Sequence, residues 1–324
     1  MKTFLNDLRN ELIRNKVEME EIEDIINDHR EMIEEAIKQG LNEEQIPLRF
    51  GDPKVLAKEL AENINGNGTS EEKRTSEQED TDGLTLWKEF TPDQDTLKIM
   101  IGSISEDYIV QASPDDKIRI YYEGRGNINH YDVSYRNGEF RFEAPKFKGG
   151  LIFMRKQDDL DFVFEFPKEL HVTESKFVSL SGDLIIKNLQ TEQSQINITS
   201  GDITVEGCNL GNTKWNTVSG DLLIKNVALN GLSSSQVSGD LDMEHTEIQG
   251  DVHMNTVSGD LHFKDVKAKN VEFSSVSGDV NGVEFYPEVI RFKSVSGDLA
   301  INNKTKTSIH LEKVSTLSGT VDIH

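Results

Sequence analysis

The chain has very little cysteine: Cys208 is the single one in 324 residues. A lone thiol cannot close an internal disulfide, which fits a reducing compartment. Long apolar runs are missing too, and no stretch approaches the roughly 18 uncharged apolar residues of a spanning helix. The opening stretch, MKTFLNDLRNELIRNKVEMEEIEDIINDHREMIEEAIKQG, is dense in charge and lacks the apolar core of a secretory leader. The expected localisation is therefore cytoplasmic. Basic residues are scarce, with 35 Lys and Arg against 58 Asp and Glu, a formal net charge of -23. That balance disfavours nucleic acid as a partner, because such affinity rests on Lys and Arg neutralising phosphates.

What is present divides into regions. Residues 1–63 read as helices: apolar residues fall at Phe4, Leu5, Leu8, Leu12 and Ile13, then at Val17, Ile22, Ile25, Ile26, Met32, Ile33, Ala36 and Ile37, with three- and four-residue spacing. Gly40 stops the second helix. Asp52 is placed as N-cap and Pro53 as first helical residue of DPKVLAKELAENI. The two helices, the LRFGDPKVLAKEL segment and the short final helix resemble the HAAS signalling domain. That resemblance implies a helical module of bacterial proteins that often sit beside PadR-type transcription regulators, with a role in envelope signalling. Family members commonly continue into membrane helices, and none is visible in this sequence.

Residues 64–83 include NGNGTSEEKRTSEQEDTDG, which has no aliphatic or aromatic side chain and reads as a flexible acidic linker. From residue 84 short alternating runs begin, among them LKIMIGSI, DYIVQAS, KIRIYYEG and DLDFVFEFP. Turn formers separate them, and RNGE is a two-residue hairpin signal. Residues 84–180 are thus a β-rich lead-in with the first coils, and 181–324 carry a repeat.

The repeat is Val-Ser-Gly-Asp followed by an aliphatic residue. Its glycines are Gly182, Gly201, Gly220, Gly239, Gly259, Gly278 and Gly297, with Gly319 in a last, looser copy. A period of about 19 residues identifies a solenoid. Two positions after each glycine stand Leu184, Ile203, Leu222, Leu241, Leu261, Val280, Leu299 and Val321. Two further on lie Ile186, Val205, Ile224, Met243, Phe263, Ile301 and Ile323, which makes a half-buried strand of period two. A second strand precedes the motif, with Ile196, Trp215, Ser234, Met254, Phe273 and Phe292 five before the glycine and Leu232, Val252, Val271 and Ile290 seven before. The residue just ahead of each serine, Leu180, Thr199, Val218, Val237, Val257, Val276, Val295 or Leu317, is expected to point inward with them. Cys208 shares a column with Leu189, Val227 and Val266 and reads as core. The expected fold is mainly β: a parallel β-helix of seven to eight coils, right-handed by the usual crossover preference, joined to a small all-α domain.

With VSGDL corners, aliphatic strands and a lead-in such as DYIVQASPDDKIRIYYEG, residues 84–324 resemble the "putative adhesin" family of β-strand repeats. The resemblance implies a parallel β-helix in a bacterial protein and no established catalytic activity.

Asp183, Asp202, Asp221, Asp240, Asp260, Asp279 and Asp298 stack in one column. Carboxylates about 4.8 Å apart repel by roughly 0.9 kcal/mol per neighbouring pair in water, so something must offset that. The favoured reading is turn-making, with each carboxylate accepting from turn N–H groups or the adjacent serine. A cation-binding ladder is the alternative, although calcium wants six or so oxygens and each coil supplies one carboxylate. Polysaccharide lyases and hydrolases built on this architecture place acids in clefts made by long loops. The near-constant coil length leaves no room for them, so catalytic residues and cofactors are expected to be none.

His245, His253 and His262 fall at different phases of the coil and are expected to face different ways. His29 and the acids Glu20, Glu21, Glu23, Asp24 and Asp28 read as a solvated helix face. RGNINHYDVSYRNGEFRF alternates aromatics with arginine, which in an acidic β protein points to sheet packing. The last coil, TLSGTVDIH, is expected to pair with a second chain or to be capped by the helical domain. The function expected is a non-enzymatic scaffold with a helical interaction domain, with an unidentified protein partner. A carbohydrate- or envelope-binding module is the alternative and a lyase or hydrolase the third.

Overall fold

The structure, a computed structural model, describes residues 1–17, 19, 22–23, 25–27, 29–30, 33, 46, 52–65, 83–145, 159–305 and 308–324. Of the expected linker at 64–83, residues 66–82 lie outside the described residues, as does the expected helix stop at Gly40, while residues 64 and 65 belong to the helix that begins at Pro53. The chain divides into two compact units, one carrying the helices and the other the strands.

In the helical unit, Lys2–Arg14 and Pro53–Asn65 are α-helices. Phe4, Leu5, Leu8 and Leu12 form one buried face, packed with Ile22, Ile25, Ile26, Ile33, Leu56, Ala57 and Ala61. Asp52 caps the second helix as its sequence predicts, with Oδ1 accepting from the N–H groups of Lys54 at 2.9 Å and Val55 at 3.3 Å. His29 corrects the expectation of a solvated residue: it is 1% exposed, with Nδ1 2.8 Å from the Ile25 carbonyl oxygen. The reason is helical spacing, because position 29 lies three and four residues from Ile26 and Ile25 and four from Ile33. Glu23 pairs with Arg9 at 2.8 Å. The guanidinium of Arg9 lowers its carboxyl below the usual carboxylate range.

The β unit begins with β1 (Thr85–Phe90), β2 (Thr96–Gly102), β3 (Tyr108–Ser113), β4 (Ile118–Arg125), β5 (Asp132–Arg136), β6 (Glu139–Glu143) and β7 (Asp159–Pro167). The repeat follows as β8 (His171–Ser181), β9 (Leu184–Lys187), β10 (Gln193–Ser200), β11 (Ile203–Glu206), β12 (Asn212–Ser219), β13 (Leu222–Lys225), β14 (Ala228–Leu229), β15 (Gly231–Gln236) and β16 (Leu241–Ile248). It closes with β17 (Asp251–Ser258), β18 (Leu261–Ser277), β19 (Val280–Ser294), β20 (Leu299–Asn302), β21 (His310–Thr316) and β22 (Val321–Ile323).

Each strand before a corner pairs in parallel with its equivalent one coil away. Ile196 sits beside Phe177 and Trp215, and Leu222 beside Ile203 and Leu241. The result is a β-solenoid of about eight turns. Its axial order is not its chain order at the start. β2 and β3 stack on β8 and β9, and on their other side they pair with β6 and β7. The antiparallel strands β4 on β7, β1 on β4 and β5 on β6 complete that end. Tyr131, Phe140, Phe142, Phe162, Phe164 and Phe166 fill it, with Phe142 and Phe162 4.9 Å apart edge to face. The aromatic stretch RGNINHYDVSYRNGEFRF thus goes into sheet packing, as its periodicity indicates.

The inward columns follow the predicted period with one correction. Trp215, Met254, Phe273 and Phe292 are buried, as are Leu222, Leu241, Leu261 and Leu299. Val218, Val237, Val257, Val276 and Val295 are 49%, 47%, 48%, 49% and 51% exposed, and Leu180 and Leu317 are more so. They face out. The physical reason is parity: this column lies three residues from the Trp215 column, and an odd step along a strand reverses the face. The inward position is the neighbouring one, occupied by Ser179, Ile198, Thr217, Gln236, Thr256 and Ser294, all buried.

Candidate interaction face at the solenoid corner

The corner is built from three stacked columns. Glycine is required in the first by close approach. A Cβ added to Gly201 would lie 2.3 Å from the Gly182 carbonyl oxygen, one on Gly220 2.1 Å from that of Gly201, and one on Gly278 2.2 Å from that of Gly259. No side chain fits there. Positive φ adds to the requirement at Gly220, with φ 119°, but Gly278 lies outside that region, so stacking is the common cause.

The aspartates form the second column, and each serves the coil that follows it. Asp183 Oδ1 accepts from the backbone N–H of Asp202, Asp202 from that of Asp221, and Asp221 from that of Asp240, all at 2.8 Å. The same bond runs from Asp240 to Asp260 at 2.8 Å, Asp260 to Asp279 at 2.9 Å and Asp279 to Asp298 at 2.8 Å. Asp298 ends the series on the N–H of Thr320 at 2.6 Å. A charged acceptor strengthens each bond and offsets part of the repulsion along the column. These bonds join successive coils, whereas the turn-making reading places the donor in the carboxylate's own turn or on the adjacent serine.

The ladder also has a rung that sequence reasoning missed. Asp107 Oδ1 accepts from the N–H of Asp183 at 2.7 Å. Ser105-Glu106-Asp107 is therefore a first corner, with Glu106 in the glycine position. The β7 strand stacks against this corner in turn, and Asp161 Oδ1 accepts from the N–H of Asp107 at 3.3 Å. The buried Glu106 carboxylate takes the N–H groups of Ile104 and Ser105 at 2.7 and 3.0 Å and the Tyr131 hydroxyl at 2.8 Å. The signal was available in SEDYIV, which matches SGDLII in Ser-x-Asp and in alternation.

Outside, the exposed valines make the third column. The next outward column on the same strands is Asn197, Asn216, Ser235, Asn255 and Ser274, with Lys293 at its end. None of these carries negative charge, in a chain whose net charge is -23. Charge collects past the other side of the corner, where Glu206, Lys225, Glu244 and Lys264 alternate along β11, β13, β16 and β18. Lys225 and Lys264 lie 3.6 and 3.4 Å from Glu244. Desolvation raises the Glu244 carboxyl, but the two ammonium groups prevail and hold it below the usual carboxylate range.

The remaining sequence candidates have separate places. His245 Nδ1 lies 2.9 Å from Asp265, His253 Nε2 lies 3.8 Å from Glu272, and His262 sits on β18 beside Asp242 of β16. Cys208 is buried in the column of Leu189, Val227 and Val266, and burial pushes its thiol up to about 11. A second turn column was missed as well. Asn188, Asn226, His245, Asp265 and Glu284 all take left-handed φ of 49° to 57°, and Gly207 stands at the same phase. A polar groove of about 500 Å³ lies where the strands before the corner begin, lined by Gln193, Gln195, Asn212, Lys214, Asn230 and His253 among others.

A parallel β-solenoid closed by stacked Ser-Gly-Asp corners, carrying an ordered neutral face beside them, is the class of protein these features define. Residues 55–324 match the family model described as Toastrack DUF4097, and the chain belongs to that family. Residues 3–59 match the HAAS model. A search of the curated proteins finds no match. Among solved structures, a "putative adhesin" from Parabacteroides distasonis superposes with a TM-score of 0.50 at 11% identity, covering 74% of this chain and 97% of that one. A "putative lipid binding protein" from the same species gives a TM-score of 0.49 at 15% identity, covering 75% and 98%. At such identities the likeness concerns the fold. Among the described residues no helix is long and apolar enough to cross a membrane.

Proposed function

We propose that this protein is a non-enzymatic scaffold: a rigid solenoid that holds a neutral, aliphatic-edged face for a protein partner, and a HAAS domain that makes a second contact in bacterial signalling or envelope stress. The observation that carries this reading is the column of half-exposed Val218, Val237, Val257, Val276 and Val295 beside uncharged Asn216, Ser235, Asn255 and Ser274. An ordered apolar stripe on an otherwise acidic protein is the kind of surface that marks association. The aspartates are occupied in holding coils together, which leaves them in a structural role.

The polar groove favours a second reading, a carbohydrate- or envelope-binding module. Gln193, Gln195, Asn212 and Asn230 offer amide donors and acceptors suited to sugar hydroxyls, and a structural neighbour bears the name "putative adhesin". A photo-reactive amino acid placed at Val257 in one sample and at Gln195 in another, in the full chain expressed in its host, separates the two. Protein adducts at Val257 support the scaffold. Glycan adducts at Gln195, with none at Val257, support the alternative. Release of oligosaccharide from cell-wall polymers by the purified chain would overturn both.

A further inference from the structure

We propose that the valine face pairs with the same face of a second copy of this chain, the two solenoid axes running parallel with corresponding coils side by side. The inference rests on the reading of that face as an interaction surface and names its occupant.

Pitch is the first argument. Successive valines repeat at the spacing between hydrogen-bonded strands, about 4.8 Å. A surface with ridges at that repeat interlocks over many rows only with a surface of the same repeat. A helix, with a pitch of about 5.4 Å, falls out of step within a few turns. A second solenoid of this sequence matches row for row, as identical side chains do in stacked sheets.

Area is the second. From Leu180 to Leu317 the ladder spans seven steps, about 34 Å at that spacing. With the Asn and Ser column on one side and the corner on the other, its width is roughly 20 Å. That gives roughly 700 Å² per copy, close to the 800 Å² or so of a standard interface.

Charge selects the direction. The Asp202, Asp221, Asp240 and Asp260 column lies on one side of the ladder and the Asn197, Asn216, Ser235 and Asn255 column on the other. A two-fold axis along the ladder sets each aspartate column against the partner's amide and hydroxyl column, and Lys293 opposite the partner's aspartate row. A two-fold axis across the ladder would instead bring the two aspartate columns together, which like charges oppose. Self-association through an isologous patch is also the commonest form of soluble oligomer.

The test uses the full chain. In light scattering at about 50 µM the protein is expected to have twice the mass of one chain, and Val237→Lys combined with Val257→Lys is expected to halve it with the melting temperature unchanged. Both side chains are half-exposed, so the lysines can be accommodated in a folded monomer. Spin labels at Asn197→Cys, and separately at Ser274→Cys, then report direction, since buried Cys208 does not take label in the folded protein. Four rows, about 19 Å, separate the two sites. The proposed pairing gives a short distance, about 15 Å, at both. An antiparallel pair lengthens at least one beyond about 20 Å and overturns the proposal. It is also overturned by a monomeric wild-type protein, by lysine variants that remain dimers, and by a monomer that co-sediments with neutral phosphatidylcholine vesicles. A monomer that crosslinks at Val257 to a host protein removes the self-pairing and leaves the scaffold reading standing.

Discussion

The Oδ1 atom of Asp221 accepts the backbone N–H of Asp240, the equivalent residue one coil later, at 2.8 Å. The bond ties the repeated aspartate to the stacking of coils and makes its chemistry testable.

Asp221→Ala removes that acceptor and leaves an N–H at the corner without its partner. A loss of about 1 kcal/mol is expected in urea denaturation. Asp221→Asn keeps an oxygen in place and relieves repulsion along the column, so its stability should lie within about 0.5 kcal/mol of wild type. A melting temperature raised by calcium and lowered by EDTA would return the column to a cation-binding role.

Gly220→Ala places a methyl 2.1 Å from the Gly201 carbonyl oxygen at a φ of 119°, and at least about 3 kcal/mol of destabilisation is expected. Gly278→Ala should cost a comparable amount without the positive φ, because its Cβ would lie 2.2 Å from the Gly259 carbonyl oxygen. Gly83, with nothing within 4 Å, should accept alanine within about 0.5 kcal/mol. If thermal denaturation ranks Gly278→Ala with Gly83→Ala, coil stacking is not what requires the glycine.

Two aliphatic columns that look alike in the sequence should behave differently. Leu222→Ala opens a cavity in the core and is expected to cost about 2 to 5 kcal/mol. Val218→Ser, at a half-exposed position, should change stability by less than about 1 kcal/mol. Equal losses in guanidinium denaturation would contradict the outward placement of the valines.

His245 holds a left-handed φ of 49° where two other coils use asparagine, one glycine, and the two that follow aspartate and glutamate. His245→Asn is expected to stabilise the fold by about 0.5 to 1 kcal/mol, since asparagine tolerates that region better. The exposed pair with Asp265 contributes little against this. A lower melting temperature for the variant would sink the argument.

Cys208 gives a pH dependence with a definite sign. Burial raises its thiol from 9.0 to about 11, so the folded state favours the protonated form. The associated stability is fully present below pH 9 and falls as pH rises towards 11, by on the order of 2 kcal/mol. Cys208→Ala should remove that part of the alkaline loss in denaturation curves taken across this range. At pH 8, iodoacetamide should modify the thiol in urea and leave it untouched in the folded protein.

The strands after the corner were fully legible in the sequence, because Leu184, Ile203, Leu222 and Leu241 recur at a fixed offset from an invariant glycine and every one is buried. The N-cap at Asp52 was equally legible from Asp-Pro. Composition and period misled for the valines: a repeated aliphatic residue looks like core, and only its odd spacing from Trp215 shows that it faces out. His29 is the converse case, since its chemistry points to solvent while its phase on an apolar helical stripe buries it. The rung at Asp107 was hidden because Glu106 breaks the glycine pattern that defines the repeat.

By itself the sequence determined the coil, its length, its corners and the two-part organisation, since period and residue type constrain the backbone of each turn locally. The tertiary structure decided what the turns do to one another. The aspartate oxygen reaches the next coil's N–H, β6 and β7 return to stack outside β2 and β3, and the valines line up on the outer face. These are relations between residues brought together by stacking, so they depend on axial order and strand phase, which no single repeat contains.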